Sequence, residues 1–339
     1  MESSVNLRIG YYSDLNQDDK IHSNKEINNV IRNSDSLVTI GHNIELLNIL
    51  CSSFGYKNDI VLIRKNDSLQ GFMPINIIGN KAVSIPHFSY GGYLGLQELT
   101  LEQTELLLQS LKRKYGDNFL IRDFKQITKN YYDEKVSYFL ELQDDAEIQF
   151  SRFKAKLRSQ IRKAKKNGLT VNTSHLEDFF PVYVSSMHRL GSPHLPKNFF
   201  NEIIKKYKNG NLEVFAVKKN DMVIGASIVL SFNNFIEVCW AATYKEYNYL
   251  APNMLLYWSM IKYSINNNIK VFSFGRSTKN SGSFRFKKQW GAEEVQLIWN
   301  YSKPKHFNIG DFKLLSFIWR NLPRSLIEML GPFITKYIY

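Results

Sequence analysis

Two stretches of this chain carry the same pattern in the same register. Val61-Leu-Ile-Arg-Lys-Asn-Asp-Ser-Leu-Gln-Gly-Phe-Met-Pro-Ile75 and Phe215-Ala-Val-Lys-Lys-Asn-Asp-Met-Val-Ile-Gly-Ala-Ser-Ile-Val229 align without a gap. Lys65, Asn66, Asp67 and Gly71 fall on Lys219, Asn220, Asp221 and Gly225, and Arg64 falls on Lys218. Each reads as a β-hairpin: an apolar strand, a polar Asn-Asp turn and a second strand entered near a Gly. The same offset sets Arg122, after Phe119-Leu-Ile121, against Arg276, after Val271-Phe-Ser-Phe274, and to within one residue brings Leu101–Tyr115 opposite Met254–Ile269. Asn-Asp turns are common, but one offset that relates three elements in order marks a duplicated unit.

A duplication suits the length, since 339 residues are about right for two domains of roughly 150 each. Hydrophobic content of 44% and aromatic content of 14% exclude a disordered chain. The net charge of +13 favours anionic partners such as phosphorylated carriers, RNA or acidic lipid headgroups. Cys51 and Cys239 are single, without a C-x-x-C pair, which fits a reducing cytoplasm. Met1 to Gly10 lacks the basic start and apolar run of a secretory signal, and no window reaches about 18 uninterrupted apolar residues. The expectation is a cytoplasmic protein that neither leaves the cell nor spans a membrane.

In the second copy, strands are expected at 212–218, 222–231 and 235–242, then a helix opening at Pro252. A strand at 270–274, a short helix at 283–289 and a last strand at 294–301 follow. An antiparallel meander, a crossover helix and a further strand form the succession of the GNAT acyltransferase fold. The expected class is therefore α/β: two tandem GNAT-like domains with mixed sheets, 1–150 and 169–305, joined by a basic helix at 151–168 and followed by a tail at 306–339.

The connector has eight basic residues and no acidic one. Phe153, Leu157, Ile161 and Ala164 recur at helical spacing, so an amphipathic helix closed by Gly168 is expected. It either packs one stripe and solvates the rest, or meets a phosphorylated substrate through Arg158 and Arg162, which share a face. The tail contains two apolar segments split by Pro323, each too short to span a bilayer. Trp319 and Phe317 beside Lys313, Arg320 and Arg324 suit a helix in the headgroup region of an anionic membrane, and packing onto the second domain is the rival.

The run Gly275-Arg-Ser-Thr-Lys-Asn-Ser-Gly-Ser-Phe-Arg-Phe-Lys-Lys-Gln-Trp-Gly291 resembles the G-R-S…G-S-x-x-F-K-x-x-W-G pattern of FemAB-like proteins, particularly those of exopolysaccharide and PEP-CTERM systems. The basic connector, the Leu190-Gly-Ser-Pro193 loop, the Pro252-Asn-x-x-Leu-x-Trp258 helix, the Leu-Pro…Leu-Gly-Pro tail and the Pro86-His-Phe-Ser-Tyr-Gly-Gly92 turn agree with it. The resemblance implies acyl or aminoacyl transfer to an amine or hydroxyl of a cell-envelope glycan or its lipid-linked precursor. It leaves the donor open between aminoacyl-tRNA and acyl-CoA, with no cofactor tightly bound. The chain lacks a charged helical arm like that of the peptidoglycan-bridge enzymes, and Tyr244–Asn253 lacks the Gly-rich turn that cradles the pyrophosphate of CoA. A CoA-dependent N- or O-acetyltransferase of a sugar and a non-catalytic lipid- or RNA-binding module stand as alternatives.

Acyl transfer needs a positioned donor carbonyl, stabilisation of a developing oxyanion and a route for a proton. Arg276 offers a planar fork for phosphate or carboxylate, and Lys287 a compact charge. Ser277 and Ser283 are expected to orient substrate, whereas Phe286 and Trp290 read as the buried face of the short helix. Tyr257 offers a hydroxyl one turn after Asn253, itself a binding candidate with Trp240. His188 and His194 flank Arg189, Gly191 and Ser192 in a turn-rich loop, where either His could be a general base, His188 preferred. Tyr90 represents the first domain among the binding candidates. No metal site is expected, because the His spacing matches no zinc pattern.

Overall fold

The computed structural model describes residues 7–304 and 309–338, with backbone only for 309–312. Residues 1–6, 305–308 and 339 lie outside the described residues, among them most of the stretch on which the expectation of no secretory signal rests and the head of the expected tail. Two compact units form. Unit 1 comprises Met1–Lys135 with Gln296–Lys305, and unit 2 comprises Val136–Val295 with His306–Tyr339.

Unit 1 begins with β1 (Leu7–Tyr11), α1 (Gln17–Asn33) and α2 (Glu45–Phe54). The duplicated hairpin follows as β2 (Lys57–Lys65) and β3 (Ser68–Ile78), then β4 (Lys81–Val83), β5 (Leu94–Gly95), α3 (Leu101–Tyr115) and β6 (Phe119–Asp123). Thr100 and Gln103 form a reciprocal capping box at the start of α3, which fixes where that helix begins. β7 (Asn130–Glu141) runs from residues of unit 1 into residues of unit 2.

Unit 2 continues with α4 (Ala146–Arg152), α5 (Ala155–Lys166), β8 (Leu169–Thr173), α6 (Leu176–Leu190) and α7 (Lys197–Lys206). The second hairpin is β9 (Asn211–Lys219) and β10 (Met222–Phe232), followed by β11 (Phe235–Thr243), α8 (Pro252–Asn266), β12 (Val271–Ser273), β13 (Ser277–Thr278) and α9 (Gly282–Lys288). β14 (Glu293–Tyr301), α10 (Ile309–Asn321) and α11 (Arg324–Thr335) end the chain. Among the described residues no helix is long and apolar enough to cross a membrane.

The duplication extends to backbone detail. Asn66 and Asp67 have φ of 49° and 61°, and Asn220 and Asp221 have 48° and 64°. Left-handed backbone at both central positions marks the type I′ turn, whose twist matches that of the flanking strands. Both hairpins also skip one residue, Gln70 and Ile224, just before Gly71 and Gly225. The cores repeat as well: buried Val61, Ile63, Leu107 and Leu111 in unit 1 correspond to Phe215, Val217, Ile261 and Ile265 in unit 2. Burying each such side chain contributes about 1.5–3 kcal/mol.

The sheet of unit 1 runs β1-β2-β3-β4-β6, with β4 and β6 parallel, and is completed by Ile298–Tyr301 of β14, antiparallel to β6. The sheet of unit 2 runs β8-β9-β10-β11-β12, with β11 and β12 parallel, and is completed by Phe139–Glu141 of β7. The order is the same in both. The division differs from the expected one at 150 and 169–305: the closing strand of each sheet lies in the other sequence half. The apolar residues of 294–301 mark a strand but do not say which sheet takes it. The connector differs too. Phe153, Leu157, Ile161 and Ala164 belong to the core of unit 2, so α5 is a packed element of that unit.

Candidate active site

The parallel pairing of β11 with β12 ends at Glu237 opposite Ser273, and the signature segment leaves the sheet there. Gly275 makes the turn possible. Its φ is +71°, and a Cβ would sit 2.5 Å from the Val238 carbonyl oxygen, so both conformation and space demand glycine. Ser281 caps α9 by accepting a hydrogen bond from the Phe284 amide at 3.1 Å. The short helix then turns Lys287 back toward its own loop.

Lys287 is buried, and its Nζ donates to the carbonyl oxygens of Gly275 (2.8 Å) and Arg276 (3.0 Å). Burial lowers its pKa to about 7; the neighbouring Glu237 carboxylate opposes the shift and the Arg276 guanidinium adds to it. Two carbonyls occupy two N–H bonds. The third position of the amine carries a proton below about pH 7 and a lone pair above it.

Arg276 keeps part of its surface open, yet enough protein surrounds it to lower its pKa by desolvation, against the pull of Glu237. Glu237 is buried on β11, on the face opposite Ile236 and Val238 of the core. A Cβ on Gly275 would lie 3.8 Å from its Oε1. The cluster is therefore one carboxylate with two cations. Glu237 was missed from the sequence, although its signal was present: a lone carboxylate inside the apolar strand Phe235-Ile-Glu-Val-Cys-Trp240.

The other predicted residues have the following surroundings. Ser277 follows Arg276, is buried, and its Oγ has no hydrogen-bond partner. Tyr257 is buried with its ring stacked on Phe274 at 5.6 Å and edge-on to Phe286 at 4.9 Å; burial raises its pKa, so the phenol keeps its proton. Trp290 is core, as its spacing implied, while Phe286 is only partly buried. Ser283 is exposed and hydrogen-bonded to Ser281 at 2.9 Å. Asn253 Nδ2 donates to Thr243 Oγ1 at 3.4 Å, tying the start of α8 to β11. Trp240 packs edge-on against Phe200 of α7 at 5.1 Å.

The Leu190–Pro193 loop is a helix cap. Gly191 has φ +71°, its amide and that of Ser192 bond back to His188 and Met187, and Arg189 reaches Ser186 at 3.1 Å. Arg320 of α10 donates to the Leu190 carbonyl at 3.3 Å. The loop is thus held by α6 and the tail. His188 is partly buried and its Nε2 has no hydrogen-bond partner. His194 is buried, edge-on to Phe180 at 5.8 Å, with its Nδ1 2.9 Å from the Leu195 carbonyl.

Arg158 donates to the Ser151 carbonyl at 3.4 Å, and exposed Arg162 lies 5.4 Å over the Phe150 ring. In unit 1, Tyr90 is buried against Phe124 at 4.7 Å. Arg122, which corresponds to Arg276, is sealed: its Nη1 donates to the Phe88 carbonyl at 2.8 Å and its guanidinium lies 4.6 Å from the Trp299 ring centre. Among the described residues no group of His, Cys, Asp or Glu is placed to hold a metal ion.

Residues 151–288 match the family model described as the Acetyltransferase (GNAT) domain. This segment of unit 2 is thus similar to a GNAT domain. The whole chain has the tandem GNAT-like fold. A crystal structure of FemX is similar with a TM-score of 0.59 at 14% identity, covering 86% of this chain and 98% of that one. A tandem GNAT protein from the clavulanic acid biosynthesis pathway gives 0.54 at 10%, covering 88% and 100%. The C-terminal domain of a putative lysylphosphatidylglycerol synthetase from Agrobacterium fabrum gives 0.51 at 11%, covering 88% and 95%. At these identities the likeness is one of fold. A search of the curated proteins found no match. The matched segment contains all three charged groups of the cluster, Glu237, Arg276 and Lys287.

Proposed function

We propose that the chain transfers an acyl or aminoacyl group directly to an amine or hydroxyl of a cell-envelope polysaccharide or its lipid-linked precursor. The observation that carries this reading is Lys287, buried against two carbonyls of the Arg276 loop with Glu237 and Arg276 beside it. In the reaction the acceptor heteroatom attacks the donor carbonyl. A C–N or C–O bond forms, the ester bond to tRNA or the thioester bond to CoA breaks, and the acceptor proton passes to the departing oxygen or sulfur. Arg276 grips a phosphate or carboxylate of the substrate in its planar fork. Lys287 as an ammonium stabilises the oxyanion, and as an amine it receives the acceptor proton. Glu237 keeps the two cations together in a desolvated setting. We place the reaction in the cytoplasm, where both donors are available.

The GNAT match favours a second reading, acetyl transfer from CoA to a sugar. Incubation of pure protein with a glycan-precursor extract and either acetyl-CoA or charged tRNA distinguishes them. Glycan-dependent deacylation of tRNA supports the first reading, and glycan-dependent release of CoA supports the second. Undiminished function after Arg276→Ala would favour a binding module over either.

A further inference from the structure

α10 and α11 each dock on unit 2 by one stripe and leave a second apolar stripe in solvent. The inward stripe is Trp319 on α10 and Ile327, Gly331 and Thr335 on α11, all buried. Docking is close: a Cβ on Gly191 would meet the Ser316 carbonyl oxygen at 2.5 Å, and one on Gly331 would lie 3.0 Å from the His194 ring. The outward stripe carries Leu314, Leu315, Phe317 and Ile318 on α10 and Met329 and Phe333 on α11. Leu314 is 61% exposed, Phe317 64% and Phe333 72%. Positions 326, 329 and 333 recur at helical spacing, so these exposed side chains of α11 form a line. Soluble surfaces scatter large apolar side chains singly, and a contiguous row marks an interaction site.

We propose that this face docks on the surface of an anionic lipid bilayer. Lys313, Arg320, Arg324 and Lys336 lie along the row, and the one acid whose side chain is described there, Glu328, is paired with Arg324 at 2.7 Å. Apolar side chains flanked by cations suit a helix lying at the headgroup boundary, the rings entering the acyl region and the cations meeting lipid phosphates. Helices of 13 and 12 residues are about 20 and 18 Å long, too short for the ~30 Å hydrocarbon core, so they lie on the membrane. Charge argues against a second copy as the occupant. Each chain carries +13, and pairing two of these faces would bring their cations together with few acids to meet them. This surface is independent of the transfer chemistry.

The test is flotation of the full-length protein with vesicles of phosphatidylcholine alone or mixed equally with phosphatidylglycerol. The protein is expected to float with the mixed vesicles and to be released by salt. Phe317→Glu with Phe333→Glu should lower partition at least tenfold while Leu101→Glu, at an exposed site on unit 1, changes nothing. Circular dichroism should show all variants folded, since these rings lie outside the core; if the double variant is not folded, Lys313→Glu with Lys336→Glu is read in its place, with a similar loss expected. Failure of the wild type to float, or equal flotation of the charged variants, overturns the proposal. A dimer in light scattering that the double variant dissociates would assign the face to a second copy instead.

Discussion

Burial turns Lys287 from a permanent cation into a group that titrates near neutrality. Its pKa is about 7 in the fold against 10.5 in the open chain. Below pH 7 both states hold the proton and the cost of burying the ammonium is fully present. Between about pH 7 and 10.5 the unfolded chain binds more protons than the folded one, so this group makes stability rise with pH. Urea denaturation near pH 6 and pH 9 should show that rise in the wild type and a smaller one in Lys287→Met, where the buried charge is absent. The pH profile of transfer should lose an inflection near 7 in the same variant. Trp290→Ala is a different kind of change. It empties the space between Phe153, Tyr257 and Phe274 and should cost about 3–5 kcal/mol by denaturant melt.

The hairpins give equivalent positions in which one physical cause can be tested twice. Asn66→Val and Asn220→Val each put a β-branched side chain at positive φ in an exposed turn, so both should lower stability by about 1–2 kcal/mol and by similar amounts. Unequal losses would mean that the turns differ in more than sequence. These elements were legible because local chemistry fixes them: Asn-Asp sets a type I′ turn, Pro252 starts a helix, and Phe153, Leu157 and Ile161 share a helical face. Lys287 and Arg276 were legible through a spaced pattern. Glu237 left only an ambiguous signal, since one carboxylate in an apolar strand reads equally as an exposed edge until burial is known. The closing strands were not legible, because pairing across distant sequence leaves no local mark. For Ser283 and the Leu190–Pro193 loop the sequence leaves open what the polar groups bind: Ser283 shares its hydroxyl with Ser281, and Gly191 and Ser192 bond back to α6.

Duplication gave the molecule two arginines at equivalent positions, and the units use them differently. Arg122 is locked onto the Phe88 carbonyl and the Trp299 ring, while Arg276 stays partly open beside Lys287 and Glu237. Arg122→Lys should lower stability by about 1.5–3 kcal/mol, the worth of hydrogen bonds to a charged group, and leave turnover per folded molecule unchanged. The most direct measurement is therefore glycan-dependent transfer by wild type, Arg122→Lys and Arg276→Lys, with thermal melts on the same samples. Arg276→Lys keeps the charge and loses the fork, and should retain its melting temperature while turnover falls about tenfold or more, roughly 1.4 kcal/mol of transition-state binding. An Arg276→Lys protein that melts normally and turns over at the wild-type rate would contradict the assignment of chemistry to this cluster.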